Sequence, residues 1–413
     1  MAMKVRVLLS SVLLLATLWL VSCGHYTCGA TFGSSSCSAS GGGISQGGGG
    51  TSSGDAFVYV ADAGGVQGLT LDGSTGTFTD IPNPITGIPN ATNYWNVIAQ
   101  GQYMYIGYPG LGEIYGYTIA STGALTAISG SPFSAAYMIG STVGGPQAMI
   151  LNPAGTMLFV LNQSANAVYV YTIGTGGLLT EAATSPLTLP FLPLNLAVDG
   201  LGKYLYVTSA STDTSVLPQI GAYIIGSAGT LTAVPGSPFI SNGIDLNYAL
   251  AQMQGDPSGA YMIGTTSSIT NSDSHLYVLA ITQSGANAGA ITPVTGSPFV
   301  TSYSPVAVAV QPSAGGTLVY SMSFKSLGIG NFVEGYTINL TTGALTAIAG
   351  SPFTVLGGAA QFDQSGQLLF VVEDPNSTTT EMDVYNVSVG SALVTPTATV
   401  GWGQGSWAPT DIP

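Results

Sequence analysis

The sequence predicts an all-β ring, a seven-bladed β-propeller of four-stranded blades in which the C-terminal strand completes the first blade. Three observations predict it. A short polar residue followed by proline recurs at Asn83-Pro84, Ser131-Pro132, Ser185-Pro186, Ser237-Pro238, Ser297-Pro298, Ser351-Pro352 and Thr395-Pro396. Successive prolines stand between 44 residues (Pro352 to Pro396) and 60 residues (Pro238 to Pro298) apart, a period that belongs to radial or stacked repeats. Four of these sites read Gly-Ser-Pro-Phe, ending at Phe133, Phe239, Phe299 and Phe353. Composition agrees: 46% hydrophobic and 5% charged residues with 58 glycines in 413 residues describe many short strands joined by tight turns. The two ends of the repeat region are also complementary, as argued below.

The first residues form a separate unit. Lys4 and Arg6 precede an apolar run over residues 7–21, shorter than the roughly 20 residues a spanning helix needs and of the form of an export signal. Its end, Leu20-Val21-Ser22-Cys23, resembles the lipobox of bacterial lipoproteins. That resemblance implies cleavage after residue 22, lipidation of Cys23, and attachment to a membrane of the cell envelope. Gly24 follows in place of the aspartate that holds some lipoproteins at the inner membrane, which points to the outer membrane. Cys28 and Cys37 are the other two cysteines; export permits a disulfide between them, and with His25 alone nearby they do not make a full zinc set. Residues 34–54 are nearly all Gly and Ser, a flexible leash. The expected organisation is a signal over 1–22, a lipidated tether over 23–52 and a propeller over 53–413.

Removing residues 1–22 leaves Lys203 and Lys325 against 18 carboxylates. Nucleic acid is excluded as a partner, because phosphate binding needs many basic side chains. Anionic lipid surfaces are disfavoured by the same sign.

Within the ring, the third unit is the clearest. An inner strand over 147–151 leads into Asn152-Pro153-Ala154-Gly155, a type I turn pattern, then strands over 157–161, 167–173 and 178–183. The order recurs at 306–310, 317–321, 332–338 and 344–348. The last residues, 406–413, match only an inner strand, and residues 53–60 match only its continuation. Joining them restores a Pro-Ser-Gly turn, so the tail closes the ring and removes its exposed edges.

Strands such as Leu205-Tyr206-Val207-Thr208-Ser209 and Leu158-Phe159-Val160-Leu161-Asn162, followed by Val168-Tyr169-Val170-Tyr171, resemble the lactonase-type seven-bladed propellers. That group includes 6-phosphogluconolactonase and the surface-protein repeats named for Tyr-Val-Thr-Asn. The resemblance covers residues 53–413 and implies a lactone hydrolase. Members acting on phosphorylated or carboxylated substrates would hold the anion with basic side chains, and this chain departs from that: it has four Lys and Arg in all. A neutral lactone remains compatible with a carboxylate-activated or metal-bound water.

Asp199, Asp256 and Asp363 align with Asn152 and Gln311 after the inner strand, where such residues cap their own turn. Asp374, Asn376, Glu381 and Asp383, expected between the second and third strands of blade seven, offer oxygen ligands to calcium or form a solvated acidic loop. Glu334 is expected in the matching loop of blade six with Lys325, and His275 at the first position of a strand. Trp95 and Trp407 are expected in inner strands, Trp402 in the loop before the last strand, and Tyr248 and Tyr303 at or just before other inner strands. They either plug the ring core or offer flat faces to a sugar or other neutral ring. The reading is an envelope-tethered, monomeric binding or scaffold module for a carbohydrate, neutral small molecule or surface protein. A hydrolase of a neutral lactone and a structural surface coat are the alternatives.

Overall fold

A computed structural model describes residues 56–411 apart from 63–64, 74, 83–84, 86–95, 136, 140–141, 146, 210–217, 241–249, 267–273, 313–314, 324–331, 354, 356–358, 373–379, 388–392, 394–395 and 403–405. It is a closed ring of seven antiparallel blades of four principal strands each. The innermost strands, in blade order, are Ser406–Asp411, Asn96–Gln100, Ala148–Leu151, Pro193–Val198, Leu250–Gly255, Pro305–Val310 and Ala359–Phe362. Ser406–Asp411 pairs with Ala56–Asp62, Trp407 opposite Val60 and Asp411 opposite Ala56. The expected closure by the tail is therefore present.

Each second strand is a short, nearly continuous apolar run, as suits a strand covered on both faces; all six residues of Met157–Asn162 are buried. Alternate side chains go to the two neighbouring blades. The described core accordingly falls into seven clusters, each shared by one adjacent pair of blades. The cluster joining blade seven to blade one contains Phe370, Leu368 and Met382 with Ala56, Val58 and Leu71.

Two repeated polar contacts tie this apolar framework. The buried phenols of Tyr59, Tyr105 and Tyr206 each donate to the carbonyl of a glycine in the following blade, Gly123 at 2.7 Å, Gly177 at 2.7 Å and Gly289 at 3.0 Å. These glycines sit in the turn from third to fourth strand with positive φ.

The serine of each Ser-Pro pair does the second job. Ser131, Ser185, Ser237, Ser297 and Ser351, each before a cis proline, accept from the mid-strand amides of Gly116, Val170, Ala222, Val278 and Gly335 at 2.9 to 3.1 Å. The outer strand does not stop at the proline, as the sequence suggested. It steps aside and pairs again with the third strand, in blade three through Leu187–Thr188 after Leu179–Glu181. The hydroxyl fills the rung missing from the ladder. Ser297→Ala leaves the buried Val278 amide without a partner and is expected to cost about 1–2 kcal/mol, read as a lower urea midpoint at unchanged slope.

Candidate functional site

Strand direction gives the ring two unlike ends. The first-to-second and third-to-fourth turns lie at one, here the turn end. At the other, the link end, second strands pass into third strands and each blade passes to the next.

At the turn end most polar side chains of the first-to-second turns cap their own backbone, although Gln100 Oε1 and Thr317 Oγ1 have no partner among the described residues. Asp199 accepts from the amides of Lys203 and Tyr204 at 2.6 Å and Leu201 at 3.1 Å. Asp256 accepts from the amides of Ser258 and Tyr261, and Asp363 from the Leu368 amide and the Ser365 hydroxyl. Asn152 and Gln311 serve the same turns in blades three and six. These carboxylates are turn caps, as the alignment suggested, and not a ligand ring. The inner strands of blades four and five come backbone to backbone here, since a Cβ on Gly200 would lie 2.1 Å from the Asp256 carbonyl oxygen.

Burial raises Asp199 and Asp363 above the ordinary carboxylate value of 3.8, outweighing the donors around them. A folded value above the unfolded one means that the folded state holds these protons longer. The stabilisation is complete below 3.8 and is lost as pH rises through the raised folded value. Asp199→Asn keeps the acceptor, as Asn152 does, and removes the charge. It is expected to match or exceed the parent in stability near neutral pH and to flatten that decline in denaturant titrations. Asp199→Ala, which orphans three amides, is expected to lose about 2–4 kcal/mol.

The link end is different. The second-to-third connections are short in blades one to three, spanning 63–64, 109–112 and 163–166, and long in the four consecutive blades four to seven, spanning 210–218, 267–274, 324–331 and 373–379. The described strands toward this end carry a buried layer of uncharged polar side chains: Asn162, Asn195, Thr208, Ser209, Gln252, Thr265, Ser321 and Ser323, all under 9% exposed. The hydroxyls of Thr208 and Thr265, equivalent positions in blades four and five, have no hydrogen-bond partner among the described residues.

One carboxylate enters this layer. Glu334, 4% exposed, belongs to the third strand of blade six, Phe332–Ile338, the strand expected over 332–338, and not to the loop before it with which it was also grouped. It accepts from the amides of Ser302 at 2.9 Å and Tyr303 at 3.1 Å and from the Tyr336 hydroxyl. Burial, then the hydrogen bond and charge of Glu334, push the Tyr336 phenol upward. In blade two Tyr115 donates to Glu113 at 3.0 Å, and burial with that contact moves its phenol up to about 12. Tyr115 meets Tyr108 edge-on at 4.9 Å.

Of the residues singled out in the sequence, Tyr303 precedes Pro305–Val310 as expected and stacks on Phe332, centroids 4.2 Å apart at 4°. Trp407 lies in the last inner strand. Trp402 lies not in a loop but at the end of the outer strand of blade seven, Ala398–Trp402, opposite Thr380, because in this blade the described outer strand follows the proline. Glu381 and Asp383 likewise belong to a strand, Thr380–Asn386. Asp383 accepts from Thr399 at 2.6 Å and Tyr385 at 3.1 Å, so its carboxylate is engaged within the blade. Among the described residues no three His, Cys, Asp or Glu side chains come together. His275 begins its strand. Trp95, Tyr248, Asp374, Asn376, Cys23, Cys28 and Cys37 lie outside the described residues.

Glu334 and the two unpartnered threonines escaped the sequence reading as a site. Their signal was the strand register of neighbouring blades, which linear spacing does not contain.

No protein-family model matches the chain. Among curated proteins, a 6-phosphogluconolactonase of Sodalis glossinidius (strain morsitans) is 32% identical over 127 residues, 30% of this chain and 35% of that protein. The match thus spans about a third of the relative's length. Among solved structures, the periplasmic gluconolactonase of Pseudomonas aeruginosa superposes with a TM-score of 0.62 at 14% identity, covering 87% of this chain and 100% of that one. A putative 6-phosphogluconolactonase from Bacteroides uniformis gives 0.60 at 14% identity over 84% and 100%. These structural likenesses are likenesses of fold, and the chain has the lactonase-like propeller architecture.

Proposed function

We propose that the chain is an exported, lipid-anchored propeller whose link end receives a neutral, hydroxyl-bearing ring such as a carbohydrate. One observation carries the reading: the buried polar layer of that end is built, Glu334 apart, from amides and hydroxyls, which pair with hydroxyl groups without requiring opposite charge. An anionic substrate finds little to hold it. Lys203 is exposed at the turn end, and Lys325 is the one strong base in the sequence between the second and third strands of any blade. A surface-protein partner at the same end, a monomeric state, and calcium held by Asp374, Asn376, Glu381 and Asp383 are parts of this proposal.

A second reading, hydrolysis of a neutral lactone, is favoured by the gluconolactonase activity that the Pseudomonas structure is named for. Thermal-shift measurements against neutral sugars, aldonolactones and 6-phosphogluconolactone, run with lactone turnover assays with and without calcium, separate the possibilities. Binding predicts a melting temperature that climbs with neutral ligand, since ligand at 100 times Kd stabilises by about 2.7 kcal/mol, without turnover. Turnover of neutral lactones selects the hydrolase. A response to the phosphorylated lactone alone sinks both, and ordered self-assembly with no ligand response leaves the coat reading.

A further inference from the structure

Gln361 is 2% exposed, and neither atom of its amide has a hydrogen-bond partner among the described residues. It stands in the innermost strand of blade seven, opposite Phe370. Residue alternation turns it the same way as Ala359, which packs against Ala56 and Val58 of blade one. The equivalent residue of blade five is Gln254, opposite Ile263, and it is satisfied: its Oε1 accepts from the Val310 amide of the next blade at 2.8 Å. Gln252 takes the Val308 amide in the same way at 2.8 Å. A glutamine of one blade thus clamps the free inner edge of the next.

At the seam between blades seven and one the clamp lacks its donor. Val310 pairs with Val319, one position from Ala309 opposite Tyr320. In blade one the matching rungs are Pro409 opposite Val58 and Ala408 opposite Tyr59. Pro409 therefore occupies the place of Val310, and proline has no amide hydrogen. Its tolerance follows from position, since the inner strand is an edge whose outward amides are not in the ladder. The consequence falls on Gln361, whose buried amide has lost its protein partner at a substantial cost in free energy.

We infer that this seam is a binding site for a neutral hydroxyl group, supplied by an internal water or by a polyol in the ring, held by Gln361 through both its carbonyl and its NH2. The class of guest follows from the chemistry. A side-chain amide both donates and accepts, as a hydroxyl does, and carries no charge to hold an ion. Buried waters commonly occupy places where a fold leaves paired donors and acceptors unmade. The inference is independent of what the outer mouth binds.

The test uses the full chain. A high-resolution crystal structure is expected to show an ordered oxygen within hydrogen-bond distance of both Gln361 amide atoms. In Pro409→Val, the new amide takes the Gln361 carbonyl, the oxygen is displaced and the folding equilibrium constant increases about tenfold. In Gln361→Leu the site empties while stability stays level or rises, and Pro409→Val added to Gln361→Leu gains nothing further. Titrating the 15N-labelled parent with glucose assigns the source: a shift of the Gln361 side-chain signals marks a ligand hydroxyl, and an unmoved signal with the ordered oxygen present marks water. Either supports the site. A structure showing both amide atoms paired to protein, or empty space beside them, overturns it, as does a tenfold loss of folding constant in Gln361→Leu.

Discussion

Removing residues 403–413 is expected to abolish cooperative unfolding of the ring. The tail supplies the innermost strand of blade one, and six of its residues pair in register with Ala56–Asp62. Without it, the edge of Ala56–Asp62 is left bare, a long apolar strand exposing unpaired amides and carbonyls, which templates association with other chains. The seventh cluster loses its support as well, because Ala56 and Val58 pack against Phe370 and Met382 only while their strand is held in place. The truncated chain should elute as oligomer or aggregate and melt over a broad range, where the full chain melts sharply. A monomeric truncation with a sharp transition within a few degrees of the parent would show that the last strand is dispensable. Adding the 403–413 peptide in trans is expected to restore part of the transition.

Gly123→Val is expected to lower stability by about 3–5 kcal/mol, among the largest effects of any single substitution. Three costs meet there. The glycine has φ +79°, where a side chain adds roughly 1–2 kcal/mol. A Cβ would lie 2.4 Å from Ile81 Cδ1 and 3.0 Å from Phe57 Cε1, an overpacking that costs about 1–3 kcal/mol. Displacing the turn then weakens the bond from the Tyr59 hydroxyl to its carbonyl, worth about 1 kcal/mol. Tyr59→Phe isolates that last contribution and is expected to lose about 1 kcal/mol alone. If Gly123→Val unfolded at the parent's urea midpoint, the close contact between blades one and two would not exist in solution.

These effects sit where the sequence was easiest to interpret. Blade number, strand order and ring closure were legible because each blade is one complete period and its turns carry Pro, Gly and Asp at fixed places. The resumed outer strand was not, since a pair such as Leu187–Thr188 is too short to display alternation. Glu381 and Asp383 were assigned to a loop because carboxylates interrupt an apolar run, and Glu334 was grouped with a loop although its strand over 332–338 was legible; in the fold Glu334 and Asp383 find phenol, hydroxyl or amide donors. The link-end layer was hidden for a stronger reason. Thr208 and Thr265 hold equivalent places in blades four and five, Glu334 meets Ser302 and Tyr303 from 31 or more positions away, and linear spacing encodes neither relation. The unpartnered amide of Gln361 is more remote still, for it depends on a proline 48 positions later, Pro409, on the opposite side of the closure.

The closing pair also orients the whole particle. Ala56 stands opposite Asp411 where the final inner strand finishes, so whatever precedes residue 56 joins the disc at its turn face. Anything bound to that preceding segment would therefore meet the ring at its turn end, with the second-to-third connections of blades four to seven at the far end.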